Sequence, residues 1–370
     1  MDYKSSGVDI KAGEQAVRNI KSIVRQTFNA NVLTEIGSFG GLYALDMTKW
    51  TEPVMVSSTD GVGTKLIVAR LANRYDTVGA DLVNHCVNDI FVQGATPQFF
   101  NDYIGLAQMK PDIVQQIIAG MSRACIENEM ALIGGEMAEM PSIYHDDDFD
   151  IVGTIVGLVE RKHIITGNSI KEGDVVIGFA STGLHTNGYS LARKIVFEKL
   201  GLSVNSFVPE LNSTVADALL TVHKSYFTIL RQVAHPDCIN GMAHITGGGL
   251  RGNIKRVLPE HLSAVIDCTK WDTPPLFQWL VTSGDVPIDD AYDTFNMGIG
   301  FVVITSETNA KEILKHTDGF IIGNITKREQ QEPVILMPPS LRGSTIYPPT
   351  FTPPTNPPTF MGGAGGGLSP

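Results

Sequence analysis

The run Ser57-Ser-Thr-Asp60-Gly61-Val-Gly63-Thr64-Lys65 closes a short apolar stretch and brings a carboxylate, two glycines and an ammonium close together. Glycines let the backbone approach a ligand closely, Lys65 can neutralise a phosphate, and Asp60 can hold a divalent cation. The order excludes a Walker-type P-loop, because Lys65 follows Thr64 and Leu66 comes next. A glycine turn with a surface lysine explains the same residues equally well.

Further along, Asp81, Asn84, Asn88 and, less closely, His85 and Asp89 fall at offsets of about three to four residues, which marks one side of a helix as polar. Such a stripe faces either solvent or a polar site. The segment Gly134-Gly-Glu136-Met-Ala-Glu139-Met-Pro141 sets two carboxylates beside a glycine pair. Hard oxygen donors of this kind suit Mg²⁺ with waters and phosphates completing the shell, although a plain acidic loop has the same composition. In Thr182-Gly-Leu-His185-Thr-Asn187-Gly188, Asn187 is a candidate N-cap whose helix offers free amides to an anion. His185 there could position or deprotonate a reacting group near neutral pH; a capped turn with a structural histidine is the plainer reading. The sequence His244-Ile-Thr246-Gly247-Gly248-Gly249-Leu-Arg251 makes a credible phosphate cradle ahead of a helix. A flexible linker is less suited to so short a stretch between apolar segments.

The elements that must hold these residues follow from periodicity. Helices are expected within 7–28 after an opening loop, at about 76–93, from Pro111 to about Asn128, after Asn187, and at about 212–234 and 250–257. Strands are expected at about 53–58, 98–106, 131–133, 150–159, 174–180, 262–267, 298–305 and 320–325. The reading is an α/β chain with mixed sheets, in two units, 1–168 and 169–337. A doubly wound parallel sheet is not expected, since the G-x-G-x-x-G turn is absent. Residues 338–370, rich in Pro, Thr and Gly, cannot bury enough apolar surface to order themselves and are expected to be disordered.

Composition narrows the classes. A net charge of −11 argues against a general nucleic-acid binder, which needs a basic footprint. The four cysteines are far apart, with no C-x-x-C pair, so neither a zinc knuckle nor a disulfide framework is expected. The polar N-terminus has no signal-peptide pattern, and no run approaches the ~20 apolar residues of a membrane span. A soluble cytoplasmic protein is expected.

Taken in order, G-V-D-I (7–10), D-G-V-G-T-K (60–65), V-N-D (87–89), G-G-E-x-A-E-M-P (134–141), H-T-N-G-Y-S (185–190), T-G-G-G (246–249) and F-N-M-G (295–298) resemble the aminoimidazole ribonucleotide synthetase, or phosphoribosylformylglycinamidine cyclo-ligase, family. The resemblance runs from about residue 5 to 336. Single pieces recur in a wider superfamily that includes formylglycinamidine ribonucleotide synthetase, selenophosphate synthetase and thiamine-monophosphate kinase. It implies a two-domain fold that forms a homodimer by joining N-terminal sheets into a β-barrel. It also implies ATP and Mg²⁺ as cofactors and formylglycinamidine ribonucleotide as substrate, with no nucleic-acid or membrane partner. On this basis Asp60, Asp89 and Glu136 are expected at Mg²⁺, with Glu139 in reserve. Lys21, Asp60, Gly61, Gly63, Thr64, Lys65, Asn187, Gly247, Gly248 and Gly249 are expected around nucleotide or phosphate, and His185, Lys65 and Asp89 at the chemistry. Met137 departs from the small hydroxyl residue usual in the family, Thr186 replaces a common Ser, and the tail has no counterpart. A selenophosphate synthetase would want a reactive Cys near the N-terminus, yet none precedes Cys86. An inactive binding module of the same fold is the reading from another class, and the intact acidic, basic and glycine motifs argue against it.

Overall fold

The structure, a computed structural model, describes residues 7–145, 147–233, 236–329 and 332–337. The expected disordered tail, 338–370, lies outside the described residues. Helix α1 (Ile10–Arg25) starts where the Asp9 carboxylate accepts the Ala12 amide at 3.2 Å, and it turns Ala16, Ile20 and Val24 inward. Then come β1 (Pro53–Gly61), α2 (Lys65–Ala72), α3 (Asp76–Phe91), β2 (Thr96–Leu106), α4 (Pro111–Glu127), β3 (Ala131–Glu139) and β4 (Phe149–Glu160). The four strands form one sheet in the order β1-β4-β2-β3, antiparallel except for the β2–β3 pair.

Helix α3 crosses α4 at backbone contact. A Cβ placed on Gly79 would lie 2.0 Å from the Ile117 carbonyl oxygen, and one on Gly120 would lie 1.9 Å from that of Asp76. Only glycine permits this approach. The polar stripe of α3 does not face solvent: Asp81, Asn84, His85 and Asn88 are buried with most of the helix.

The second sheet takes its strands from 175–337: β5 (Val175–Ala180), β8 (Gly241–His244), β9 (Leu262–Asp267), β10 (Ile299–Thr305), β11 (Phe320–Lys327) and β12 (Val334–Met337), in the order β12-β9-β11-β5-β10-β8. A separate short ladder pairs β6 (Phe207–Val208) with β7 (Ser213–Thr214). Helices α5 (Tyr189–Arg193), α6 (Val215–Leu219), α7 (Phe227–Leu230), α8 (Gly249–Ile254), α9 (Pro275–Gly284), α10 (Ile288–Thr294) and α11 (Glu307–His316) connect them. Strand β10 is buried at every position, which explains its unbroken apolar run. The architecture is mixed α/β, as expected. The helix expected over 212–234 is instead two short helices. The stretch between them, 220–226, meets α3 through hydrogen bonds to Asp81, Asn84 and Asn88. Those contacts are why the polar stripe can be buried.

Candidate active site

The end of β1 and the polar side of α3 meet at Asp60, His85 and Asp89. His85 Nε2 lies 2.8 Å from Asp60 Oδ2 and 3.4 Å from Asp89 Oδ2, while its Nδ1 lies 2.8 Å from the Thr186 hydroxyl. Burial works against charge on His85, but the two carboxylates outweigh it and lift the pKa to about 9. The charged form of the ring is thereby favoured by the two carboxylates that flank it. Burial also pushes Asp89 up, yet hydrogen bonds from His244 and His85 hold its carboxyl far below the usual range. Asp60 is likewise lowered, burial being overcome by His85.

His244 Nδ1 meets Asp89 Oδ1 at 2.8 Å, and its Nε2 meets His223 Nε2 at 3.0 Å. Two cavities adjoin here. One of about 440 Å³ is lined by Asp60, Gly61, Gly63, Asp89, Asp150 and Asn187. The other, about 520 Å³, is lined by Ser57, Asp89, Gln93, His244 and Thr246. They share Asp89, Thr246 and Arg256.

The ligand atoms of Asp60, His85 and Asp89 lie within 4.8 Å of one another. The two carboxylates are partly exposed to the cavity, with side-chain exposures of 45% and 24%. Two hard oxygen donors on an open cavity fit Mg²⁺, which retains several waters and is completed by phosphate oxygens. The neighbouring trio His85, His223 and His244 is enclosed and offers only nitrogen.

Several expected residues fall elsewhere. Lys65 is fully enclosed, its ammonium 2.7 Å from Asp81 Oδ2 and donating to the carbonyls of Thr221 at 2.8 Å and His185 at 3.2 Å. Its three donors are thus occupied, which displaces the expected phosphate contact. Burial pushes the Lys65 ammonium down and the Asp81 carboxyl up, while their mutual attraction opposes both. His185 is 1% exposed, and its Nε2 accepts the Thr182 amide at 3.2 Å. Burial drives its pKa well below the ordinary value, so it is a neutral interior ring stacked on His223, with centroids 4.0 Å apart. The expected proton-handling role has no open path there. Asn187 lines the smaller cavity but does not cap α5; Gly188, with φ +78°, takes that place.

Glu136 is exposed on β3 and lines a different cavity, with Asp102 and the 37–41 glycine loop. Register aligns Asp60 with Gly153, Asp102 and Gly135, so about 14 Å of sheet separates Asp60 from the Glu136 end of the row. Within one chain it does not join the Asp60–Asp89 pair. Both Glu139 oxygens are taken, by the amides of Asp9 at 2.6 Å and Met109 at 2.7 Å, so the reserve ligand is a structural acceptor. Arg251, the expected cation of the glycine cradle, is paired with Asp289 and Asp293. Lys21 is exposed on α1 and lines neither of the two adjoining cavities. Thr64 turns its hydroxyl to Ser190, 3.3 Å away. Gly247–Gly249 form a tight turn, with φ of +90° at Gly248 and +58° at Gly249. The buried Asn253 amide pins it by donating to the carbonyls of Thr246, Gly247 and Gly249. Motif reading missed His223 and Arg256, since neither stands in a spacing that signals chemistry.

Models of the AIR synthase related protein family match the chain, the N-terminal domain over residues 44–159 and the C-terminal domain over 171–335. A phosphoribosylformylglycinamidine cyclo-ligase of Geotalea uraniireducens is 49% identical over 332 residues, covering 88% of this chain and 95% of that protein. That of Trichlorobacter lovleyi is 47% identical over 342 residues, covering 90% and 98%. Among solved structures, thiamine-monophosphate kinase from Stenotrophomonas maltophilia superposes with a TM-score of 0.64 at 14% identity, over 86% of this chain and 95% of that one. The hydrogenase maturation protein HypE in complex with ATP gives 0.60 at 16% identity, over 90% and 93%. These two likenesses show a shared fold. The identity to the curated relatives, spread over both matched domains, shows that this chain belongs to the phosphoribosylformylglycinamidine cyclo-ligase family.

Proposed function

We infer that the chain is an ATP-dependent ligase that closes formylglycinamidine ribonucleotide to 5-aminoimidazole ribonucleotide, releasing ADP and phosphate, in purine biosynthesis. Family membership carries the reading, and the two adjoining cavities that share Asp89 support it. The chemistry needs two substrates side by side. An amide oxygen is a poor leaving group, so ring closure by a weakly nucleophilic nitrogen is slow. Transfer of the ATP γ-phosphoryl group to the formyl oxygen converts that oxygen into a phosphate leaving group. The neighbouring nitrogen then attacks the activated carbon and phosphate departs. Holding both ends in one site makes the attack effectively unimolecular.

Asp60 and Asp89 are assigned to Mg²⁺, which when bound would offset charge on the ATP phosphates. His85 fixes both carboxylates from below, and Thr186 fixes His85. Gly61, Gly63 and Asn187 line the nucleotide side.

We further propose a cytoplasmic homodimer; among the described residues no helix is long and apolar enough to cross a membrane. Strand β1 leaves Met55 64% exposed, and Ser57 and Thr59, on the same face, are also exposed. A second copy covering this face would close the two sheets into a barrel. Sedimentation should give a dimer, and Met55→Glu should shift it toward monomer; a monomeric parent protein removes the proposal.

The activity is tested by supplying formylglycinamidine ribonucleotide, ATP and Mg²⁺ and following ADP and aminoimidazole ribonucleotide together. Equal amounts, with neither formed when one substrate is withheld, support the ligase. ATP hydrolysis without ring product overturns the substrate assignment.

A further inference from the structure

Both substrates of the inferred reaction are phosphate-bearing anions, while the two adjoining cavities are lined by the carboxylates of Asp60, Asp89 and Asp150. A divalent ion between Asp60 and Asp89 would serve the nucleotide. It leaves the phosphomonoester of the ribonucleotide without a cation. Among the described residues lining the two cavities, one carries a guanidinium or an ammonium: Arg256, which borders both. The other cations expected nearby are committed, Lys65 to Asp81 and Arg251 to Asp289 and Asp293. No ion pair holds Arg256 among the described residues, and its side chain is exposed.

Its base is nevertheless fixed. The Arg256 amide donates to the Asn253 carbonyl at 3.1 Å, and Asn253 is the buried amide that pins the Gly247–Gly249 turn. The arginine therefore moves as one piece with Thr246 and the glycine turn. Around it, the larger cavity offers the Ser58 and Thr166 hydroxyls and the Gln93 amide, groups suited to a phosphate and a ribose. Its volume of about 520 Å³ lies within the range usual for small-molecule sites. Asp89, Thr246 and Arg256 border both cavities, so a ribonucleotide held by its phosphate at Arg256 lies beside the nucleotide side of the site.

We propose that Arg256 is the phosphate anchor of the ribonucleotide substrate, binding a terminal phosphomonoester in the cavity between Ser58, Thr166 and Thr246. The assignment rests on the cyclo-ligase reading and deepens it. A guanidinium grips a phosphate through two parallel N–H···O bonds, which an ammonium cannot reproduce.

The test is steady-state kinetics of Arg256→Gln and Arg256→Lys, with ribose 5-phosphate as a competing probe. Because a charge-assisted hydrogen bond contributes ~1.5–3 kcal/mol, Arg256→Gln should raise the KM for the ribonucleotide about 10- to 100-fold. The KM for ATP should move less than about threefold, and Arg256→Lys should fall between. Ribose 5-phosphate should compete with the ribonucleotide in the parent enzyme and lose that competition in Arg256→Gln. A rise in the ATP KM with that of the ribonucleotide unmoved would assign the guanidinium to the nucleotide and overturn the proposal. Equal ribose 5-phosphate inhibition of both proteins would overturn it too. An unchanged thermal midpoint excludes misfolding, and parent turnover in the same assay separates failure of this assignment from failure of the ligase reading.

Discussion

The ammonium of Lys65 lies 2.7 Å from Asp81 Oδ2, and neither side chain is exposed to solvent. The pair sits where α2 and α3 meet the loops carrying His185 and Thr221, whose carbonyls complete the shell of the ammonium. Removing one partner of such a pair leaves an uncompensated charge and costs about 3–5 kcal/mol. Lys65→Met should therefore lower stability by that order in chemical denaturation. Lys65→Met combined with Asp81→Leu should regain part of it. A parental unfolding midpoint together with a raised KM for ATP would return Lys65 to the nucleotide.

Asp60→Asn and Asp89→Asn remove hard oxygen charge without changing side-chain size. Each should reduce turnover by at least about 100-fold, the loss of a few kcal/mol from the transition state, with the near-ultraviolet circular dichroism preserved. Residual activity with the parental Mg²⁺ dependence would show that the metal is held elsewhere.

Glu139 gives the opposite expectation. Its carboxylate accepts the Asp9 and Met109 amides, tying the start of α1 to the segment before α4. Glu139→Ala orphans two amides and should cost ~1–3 kcal/mol for each that stays buried. Limited proteolysis should cut the N-terminal segment sooner, while the Mg²⁺ concentration for half-maximal rate stays put. A shift in that concentration would make Glu139 a metal ligand after all.

Asp102 lies in the row between Gly153 and Gly135, and burial pushes its carboxyl up to about 7. A carboxyl whose folded pKa exceeds its unfolded value near 3.8 holds its proton more tightly when folded. Its contribution to stability is fully present below about pH 4 and is lost as pH rises through about 7. Comparing denaturation of the parent and Asp102→Asn from pH 4 to 8 should show a falling difference across that window. Parallel curves would place the Asp102 pKa near its ordinary value.

The sequence carried the elements whose patterns are strong and local. Pro111 opened α4 and the Val- and Ile-rich run gave β4, each within about a residue of its place. The role of α3 was only half legible. Spacing put Asp81, Asn84 and Asn88 on one side, but the segment that buries them is 138–142 residues away for the contacts Tyr226–Asn88 and His223–Asp81. No local pattern reports a partner at that distance. The same limit hid the true neighbours of Lys65 and Glu139, whose residue types are equally suited to ligand and to scaffold. Helices α9, α10 and α11 leave little signal in the sequence, because short helices with mixed apolar patterns resemble loops and strands over so few turns. Arg256 lay beyond the motif, and only the cavity gave it a context.

The backbone contact of Gly79 and Gly120 gives α3 no slack along its axis or toward α4. A helix seated this firmly serves as a fixed bench mark for the two acidic groups at the cavity mouth. Any closure around bound nucleotide then has to come from the loops that line the cavity opposite it, those bearing Asn187 and Thr246. Adding even a methyl group at Gly120 would lift the bench mark itself, and so change catalysis from a point that touches neither substrate.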